Sequence, residues 1–164
     1  MKILLIVLSL AILTSCCCGD IKDTNLKSTV MDSGVANAAG ISDSDMKALN
    51  ELIVPIYFDY NKYDIKPESK KTLKSLADSM SSHQKVTLIV EGHCDERGTN
   101  EYNLALGDKR ANATMDYLLS IGVPKDRISS FSYGEEKLVC KENTESCWSK
   151  NRRAQFVVSA GGTK

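Results

Sequence analysis

The chain has 164 residues, 42% of them hydrophobic and 26% charged, which suits one globular domain with a sizeable core plus shorter segments. Lys+Arg and Asp+Glu each number 21, so no net field draws the protein to nucleic acid or to a charged surface. No nucleic-acid partner is expected, and binding has to come from a local site.

The N-terminus sets the compartment. Lys2 supplies a positive start, and Ile3 through Leu13 is an almost unbroken apolar run. That run is too short to span a membrane and is followed at once by small residues, so residues 1–15 read as a secretory signal. It ends in Leu13-Thr14-Ser15-Cys16, which resembles the lipobox of bacterial lipoproteins. The resemblance implies cleavage before Cys16, whose thiol and new amino group would carry the lipid. Position 17 is cysteine rather than aspartate, so the inner-membrane retention signal of many such lipoproteins is missing. An outer-membrane anchor with the domain facing the periplasm follows as the expectation. Residues 16–41 then read as a lipidated end and a flexible tether, rich in Ser, Thr, Asp, Asn, Ala and Gly and without a period.

Residues 42–164 form the expected domain, with a core from about 53 to 159. A short helix capped by Ser42 or Ser44 would place Met46, Leu49 and Leu52 on one face. Ile53–Phe58 is a β-branched and aromatic run, made irregular or edge-like by Pro55. Pro67 suits the first position of a helix whose apolar face is Leu73, Leu76, Ala77 and Met80. Val86–Val90 is a second strand. A long helical segment runs from about Asn100 to Ile121, stopped by Gly122 and Pro124. Ile128–Tyr133 and Ala154–Ser159 complete the strands. The order βαβαββ predicts an α/β sandwich of the α+β type, a mixed sheet with helices packed on one face.

Between the second strand and the long helix lies Glu91-Gly92-His93-Cys94-Asp95-Glu96-Arg97-Gly98-Thr99, a dense set of polar groups where a rigid sheet would hold them. His93 is expected to be structural, hydrogen-bonded under the loop, and Cys94 a small buried hydrophobe. Cys140 and Cys147 are a reasonable disulfide pair across a short loop in an exported protein. Zinc is disfavoured because no histidine lies near them, so neither metal nor cofactor is expected.

Tyr57-Phe58-Asp59 with Lys62-Tyr63-Asp64, the stretch from Glu91 to Ala113, Ser132-Tyr133-Gly134, and Ser149 to Ala154 occur in an order that resembles the OmpA-like domain family, and within it the peptidoglycan-associated lipoproteins. The resemblance covers roughly Ile53 to Ser159. It implies non-covalent, non-enzymatic binding of the peptidoglycan stem peptide through meso-diaminopimelate. The implied outcome is a tether between outer membrane and cell wall, within a Tol–Pal system acting in envelope integrity and cell division. Its key pair falls on Asp95 and Arg110. The free end of diaminopimelate carries an ammonium and a carboxylate on one carbon, so Asp95 would accept from the ammonium and Arg110 would clasp the carboxylate at two points. For the two to meet, Gly107 is expected to interrupt the helix and put Arg110 in the first turn of its main part. Neither residue is expected to be a core packing element. The family pattern also carries Phe58, Asp59, Tyr63, Arg97, Gly98, Thr99, Asn103 and Leu106 into the binding region, where a turn-stabilising or core role for each is as much to be expected as ligand contact. It implies a TolB-like periplasmic propeller as a further partner.

Two other classes compete. A peptidoglycan hydrolase would need a nucleophile elbow or a paired-histidine metal helix, and the sequence has neither. A protein–protein adaptor without cell-wall binding would be told apart by a cell-wall pull-down with free diaminopimelate as competitor.

Overall fold

The computed structural model describes residues 53–160 together with Lys47, Leu49 and Asn50. The signal, Cys16, Cys17, Cys18 and the tether lie outside the described residues. So does most of the expected short helix, of which Lys47, Leu49 and Asn50 are helical, with Leu49 buried in the core.

The elements are β1 (Ile56–Tyr57), α1 (Pro67–Ser82), β2 (Val86–His93), α2 (Asn100–Ser120), a 3-10 turn (Lys125–Arg127), β3 (Ile128–Gly134), α3 (Glu145–Asn151) and β4 (Arg153–Ala160). They form a mixed four-stranded sheet in the order β1-β4-β2-β3, with β2 parallel to β3 and the other pairs antiparallel. In β2, Val86, Leu88 and Val90 alternate with less buried neighbours, as a sheet covered on one face requires. They share one core with Leu73, Leu76, Ala77 and Met80 of α1, Ala111 and Leu118 of α2, and Phe156 and Val158 of β4. On the other face Phe131 and Val157 stay exposed. Among the described residues no helix is long and apolar enough to cross a membrane.

Three expectations need correction. The strand expected over Ile53–Phe58 shrinks to Ile56 and Tyr57, paired with Ala154 and Arg153. Pro55 has no N–H to give a ladder, so pairing cannot extend back through it. The segment expected as loop between Cys140 and Cys147 contains the start of α3. Thr144 caps that helix by accepting from the Cys147 N–H at 3.3 Å, and a Cys140–Cys147 disulfide closes the loop.

The third correction concerns Gly107. The helix α2 runs through it without a break. Glycine serves here for close approach instead. A Cβ on Gly92 would fall 1.9 Å from the Gly107 carbonyl oxygen, and one on Gly107 would fall 2.3 Å from Ser132 Oγ. Helix and strand therefore touch backbone to backbone, which two bare Cα atoms permit and larger residues forbid.

Candidate functional site

That contact solves the reach problem that an interrupted helix was meant to solve. The loop after β2 runs out past the sheet and α2 returns over it, so residue 107 lies on residue 92. Helical side chains lean toward the helix N-terminus, and Arg110 accordingly reaches back to the base of the loop. There its Nη1 donates to the His93 carbonyl at 2.8 Å, its Nε to Lys62 at 2.9 Å and its Nη2 to Asp59 at 3.2 Å. Nη1 also lies 3.4 Å from Cys94 Sγ, and the guanidinium sits over the Phe58 ring. Four of the five N–H groups an arginine owns are thus directed at protein acceptors. Arg110 has no exposed surface at all, so the expectation that it stands outside the core is wrong. Burial lowers its pKa from the ordinary arginine value, with Cys94 and Asp95 acting in the other direction.

Asp95 is held differently. Its Oδ2 accepts from Arg97 Nη2 at 2.7 Å and from Arg152 Nη1 at 3.2 Å, while Oδ1 accepts from the Arg97 backbone N–H at 3.1 Å and from Arg97 Nε at 3.3 Å. Burial pushes this carboxyl up, but the bonds from Arg97 and Arg152 outweigh it and hold its pKa below the usual value. Arg152 is itself fixed, donating to the Phe58 carbonyl at 3.1 Å and to Glu145 at 2.6 Å. The guanidinium of Arg97 lies between two rings, 4.1 Å from Tyr60 and 4.1 Å from Trp148.

These groups line one cleft: Asp95 with the guanidiniums of Arg97, Arg110 and Arg152, beside Tyr60, Asn61, Cys94, Tyr102, Asn103 and Leu106. Its free space is about 10 Å³, close to the smallest volume that admits a water. One carboxylate among three guanidiniums makes its interior cationic overall, although the whole chain is neutral.

The family model described as the OmpA family matches residues 57–152. The chain belongs to the OmpA family. Among curated relatives, a peptidoglycan-associated lipoprotein of Brucella melitensis is 38% identical over 138 residues, 84% of this chain and 82% of that one. One of Agrobacterium fabrum is 48% identical over 107 residues, 65% of this chain and 60% of that one. The crystal structure of the peptidoglycan-associated lipoprotein from Burkholderia pseudomallei matches with a TM-score of 0.63 at 38% identity, covering 64% of this chain and 89% of the other. The C-terminal domain of Helicobacter pylori MotB, at 22% identity and a TM-score of 0.61, shares the fold over 65% of this chain and 84% of that one.

Of the residues that the family pattern brought forward, Asp95, Arg97, Arg110, Asn103 and Leu106 line the cleft. Asn103 is buried, its Nδ2 donating to the Arg97 carbonyl at 3.2 Å and to Glu135 at 2.6 Å, so it also braces the loop. The others do not line it. Thr99 caps α2 by accepting from the Tyr102 N–H, and Gly98 turns the chain at φ +118°. Phe58 is core, under Arg110. Asp59 offers Arg110 its carbonyl while its carboxylate pairs with Lys66 at 2.7 Å. Tyr63 is exposed beside Lys109. Sequence reasoning missed Tyr60, Asn61, Tyr102 and Arg152. Arg152 lay in view, inside the Ser149–Ala154 motif; Tyr102 and Asn61 meet only in space, through a hydroxyl-to-amide hydrogen bond.

His93 also departs from expectation. It is buried and stacked on Tyr133 at 5.5 Å, but neither ring nitrogen has a hydrogen-bond partner among the described residues. Glu91 lies 3.6 Å from Nε2, beyond hydrogen-bond length. Burial, then Arg153 and Lys137, push its pKa down to about 4. Burial pushes Cys94 up to about 11, so its thiol stays protonated at neutral pH.

Proposed function

We propose that the chain is a non-catalytic, lipid-anchored envelope protein that binds peptidoglycan through the stem-peptide diaminopimelate. The observation that carries this reading is the buried Asp95 set among three guanidiniums in one cleft. A zwitterionic end needs an acceptor for its ammonium and cationic donors for its carboxylate, and Asp95 with Arg110 and Arg152 supplies these groups side by side. Arg110 contributes its charge and one remaining N–H at the floor, so the two-point clasp by Arg110 alone gives way to shared recognition with Arg152. The relatives' name, peptidoglycan-associated lipoprotein, supports the same ligand.

The anchor rests on Leu13-Thr14-Ser15-Cys16. Several acyl chains on Cys16, each CH₂ contributing about 0.8 kcal/mol, would hold the protein stably at the outer membrane. Membership of a Tol–Pal system, with a TolB-like propeller as second partner, completes the proposal. Sedimentation with purified sacculi tests it, with free meso-diaminopimelate as competitor. Competition by the free amino acid, and none by its amidated form, is the expected result. Sacculus binding indifferent to both would overturn the assigned ligand and favour an adaptor.

A further inference from the structure

The two guanidiniums on Asp95 are not equivalent. Arg152 is almost fully enclosed and is tied to the Phe58 carbonyl and to Glu145 as well. Arg97 is more than a quarter exposed at the rim, and its ring partners, Tyr60 and Trp148, hold it over the mouth of the cleft. Its fork takes both oxygens of Asp95, the groups that a ligand's ammonium would need. With Arg97 in place the cleft has room for about one water.

We infer that Arg97 is an internal competitor for the cation position at Asp95, and through this a specificity-determining residue; the inference rests on the reading of the cleft as a receptor for a zwitterion. A guanidinium offers a planar two-point fork, which a lone ammonium does not match on the same carboxylate. An incoming ammonium therefore displaces Arg97 only when a second group on the same ligand binds elsewhere. A carboxylate on the same carbon does so, by reaching Arg110 and Arg152. The end of a diaminopimelate side chain satisfies this condition, and a simple alkylammonium does not. Arg97, once released, keeps Glu145, whose Oε2 already lies 3.5 Å from its Nη1.

Titration calorimetry of the purified chain with meso-diaminopimelate and with the diamine cadaverine tests this directly. Wild type should bind the first and not the second. Arg97→Ala should bind diaminopimelate more tightly, by on the order of tenfold, and should acquire measurable cadaverine binding. Trp148→Leu, which removes one wall of the sandwich and touches no Asp95 bond, should shift both ligands in the same direction by a smaller factor. Trp148 is the chain's single tryptophan, so its fluorescence gives a second readout. Diaminopimelate should change its emission in wild type as Arg97 leaves, and should not do so in Arg97→Ala. Unchanged or weaker diaminopimelate binding in both variants overturns the competitor role and makes Arg97 a ligand contact or a bystander. Binding by wild type with no change in emission overturns it too. Failure of wild type and variants alike to bind diaminopimelate removes the reading of the cleft itself, and this proposal with it.

Discussion

The protein holds Asp95 and Arg110, the pair proposed to bind the ligand, in opposite ways. Arg110 is a pillar: fully enclosed, three of its N–H groups taken by the backbone carbonyls of Lys62, His93 and Asp59. Asp95 is a socket: apart from the Arg97 backbone N–H its partners are side chains, and one of them, the half-buried Arg97 guanidinium, stands at the rim. Backbone carbonyls are fixed by the fold, so removing the pillar strands them. Side-chain partners can be exchanged for a ligand. A binding pair of this type couples one group that organises the cleft to another that trades partners.

The largest effect should come from Arg110→Ala. Three carbonyls would lose a charged donor at once, and a cavity would open above Phe58. At about 1–3 kcal/mol for each unsatisfied buried group, partly relieved by entering water, a loss of about 3–5 kcal/mol of stability is expected. Urea unfolding should show it together with lost sacculus binding. A variant as stable as wild type would break the distinction between pillar and socket.

Asp95→Ala should cost binding more than stability. Removing one partner of a buried ion pair typically costs about 3–5 kcal/mol. Arg152 retains the Phe58 carbonyl and Glu145, however, and Arg97 retains its aromatic sandwich, so folding should lose less than in Arg110→Ala, about 1–3 kcal/mol. Binding should fall by roughly 30-fold or more, the usual cost of about 2–5 kcal/mol for removing one partner of a buried charge pair. Co-sedimentation with sacculi beside circular dichroism checks both halves. Retained binding by a folded Asp95→Ala protein would move the site elsewhere.

The helix α1, the even-numbered face of β2 and the mixed sheet were legible because period and turn residues carry them directly. The cleft was legible only through its motifs. Neither composition nor periodicity reveals that Arg110 spends its donors on carbonyls from a segment about 50 positions away. The misreading of Gly107 has a clear cause: a glycine in a helical pattern signals a kink or a close approach equally, and only the facing Gly92 tells them apart. The part played by α3 was invisible, since its Trp148 and Glu145 reach Arg97 by folding across the sheet end.

His93 extends the comparison to pH. Its folded pKa of about 4 lies below the unfolded value of 6.5, so between these values the unfolded chain takes up a proton that the folded one refuses. Stability should therefore fall as pH drops from 6.5 toward 4, by up to about 3 kcal/mol. The groups that face the ring, Arg153, Lys137 and Tyr133, offer the imidazolium no relief, and Glu91 stands too far off for a hydrogen bond. The depressed pKa of Asp95 acts lower: its contribution is present above its unfolded value of 3.8 and is lost as pH falls through the folded one. His93→Phe should flatten the upper window and leave the lower. A wild-type unfolding midpoint equal at pH 7 and pH 4.5 would show that the ring finds a partner when charged.

The smallest effect on binding should come from the disulfide, although it sits next to the wall that carries Trp148. Cys140–Cys147 closes a short loop, for which the chain-entropy relation gives about 2–3 kcal/mol of stability. That contribution acts on the unfolded chain and need not reach the cleft. Within the fold, Asn151 ties the same segment independently: its Oδ1 accepts from the Val139 and Cys140 N–H groups at 2.9 and 3.1 Å, and its Nδ2 donates to the Cys140 carbonyl at 2.7 Å. Reduced protein, or Cys140→Ser with Cys147→Ser, should therefore unfold at lower urea yet hold diaminopimelate within about threefold of wild type, under about 0.7 kcal/mol. Asn151→Ala should invert the pattern: the covalent link remains, but the neighbouring Arg152 loses its placement beside Asp95, and binding weakens more than on reduction. If reduction alone removes binding, the disulfide and not Asn151 sets the position of Trp148 and Arg152.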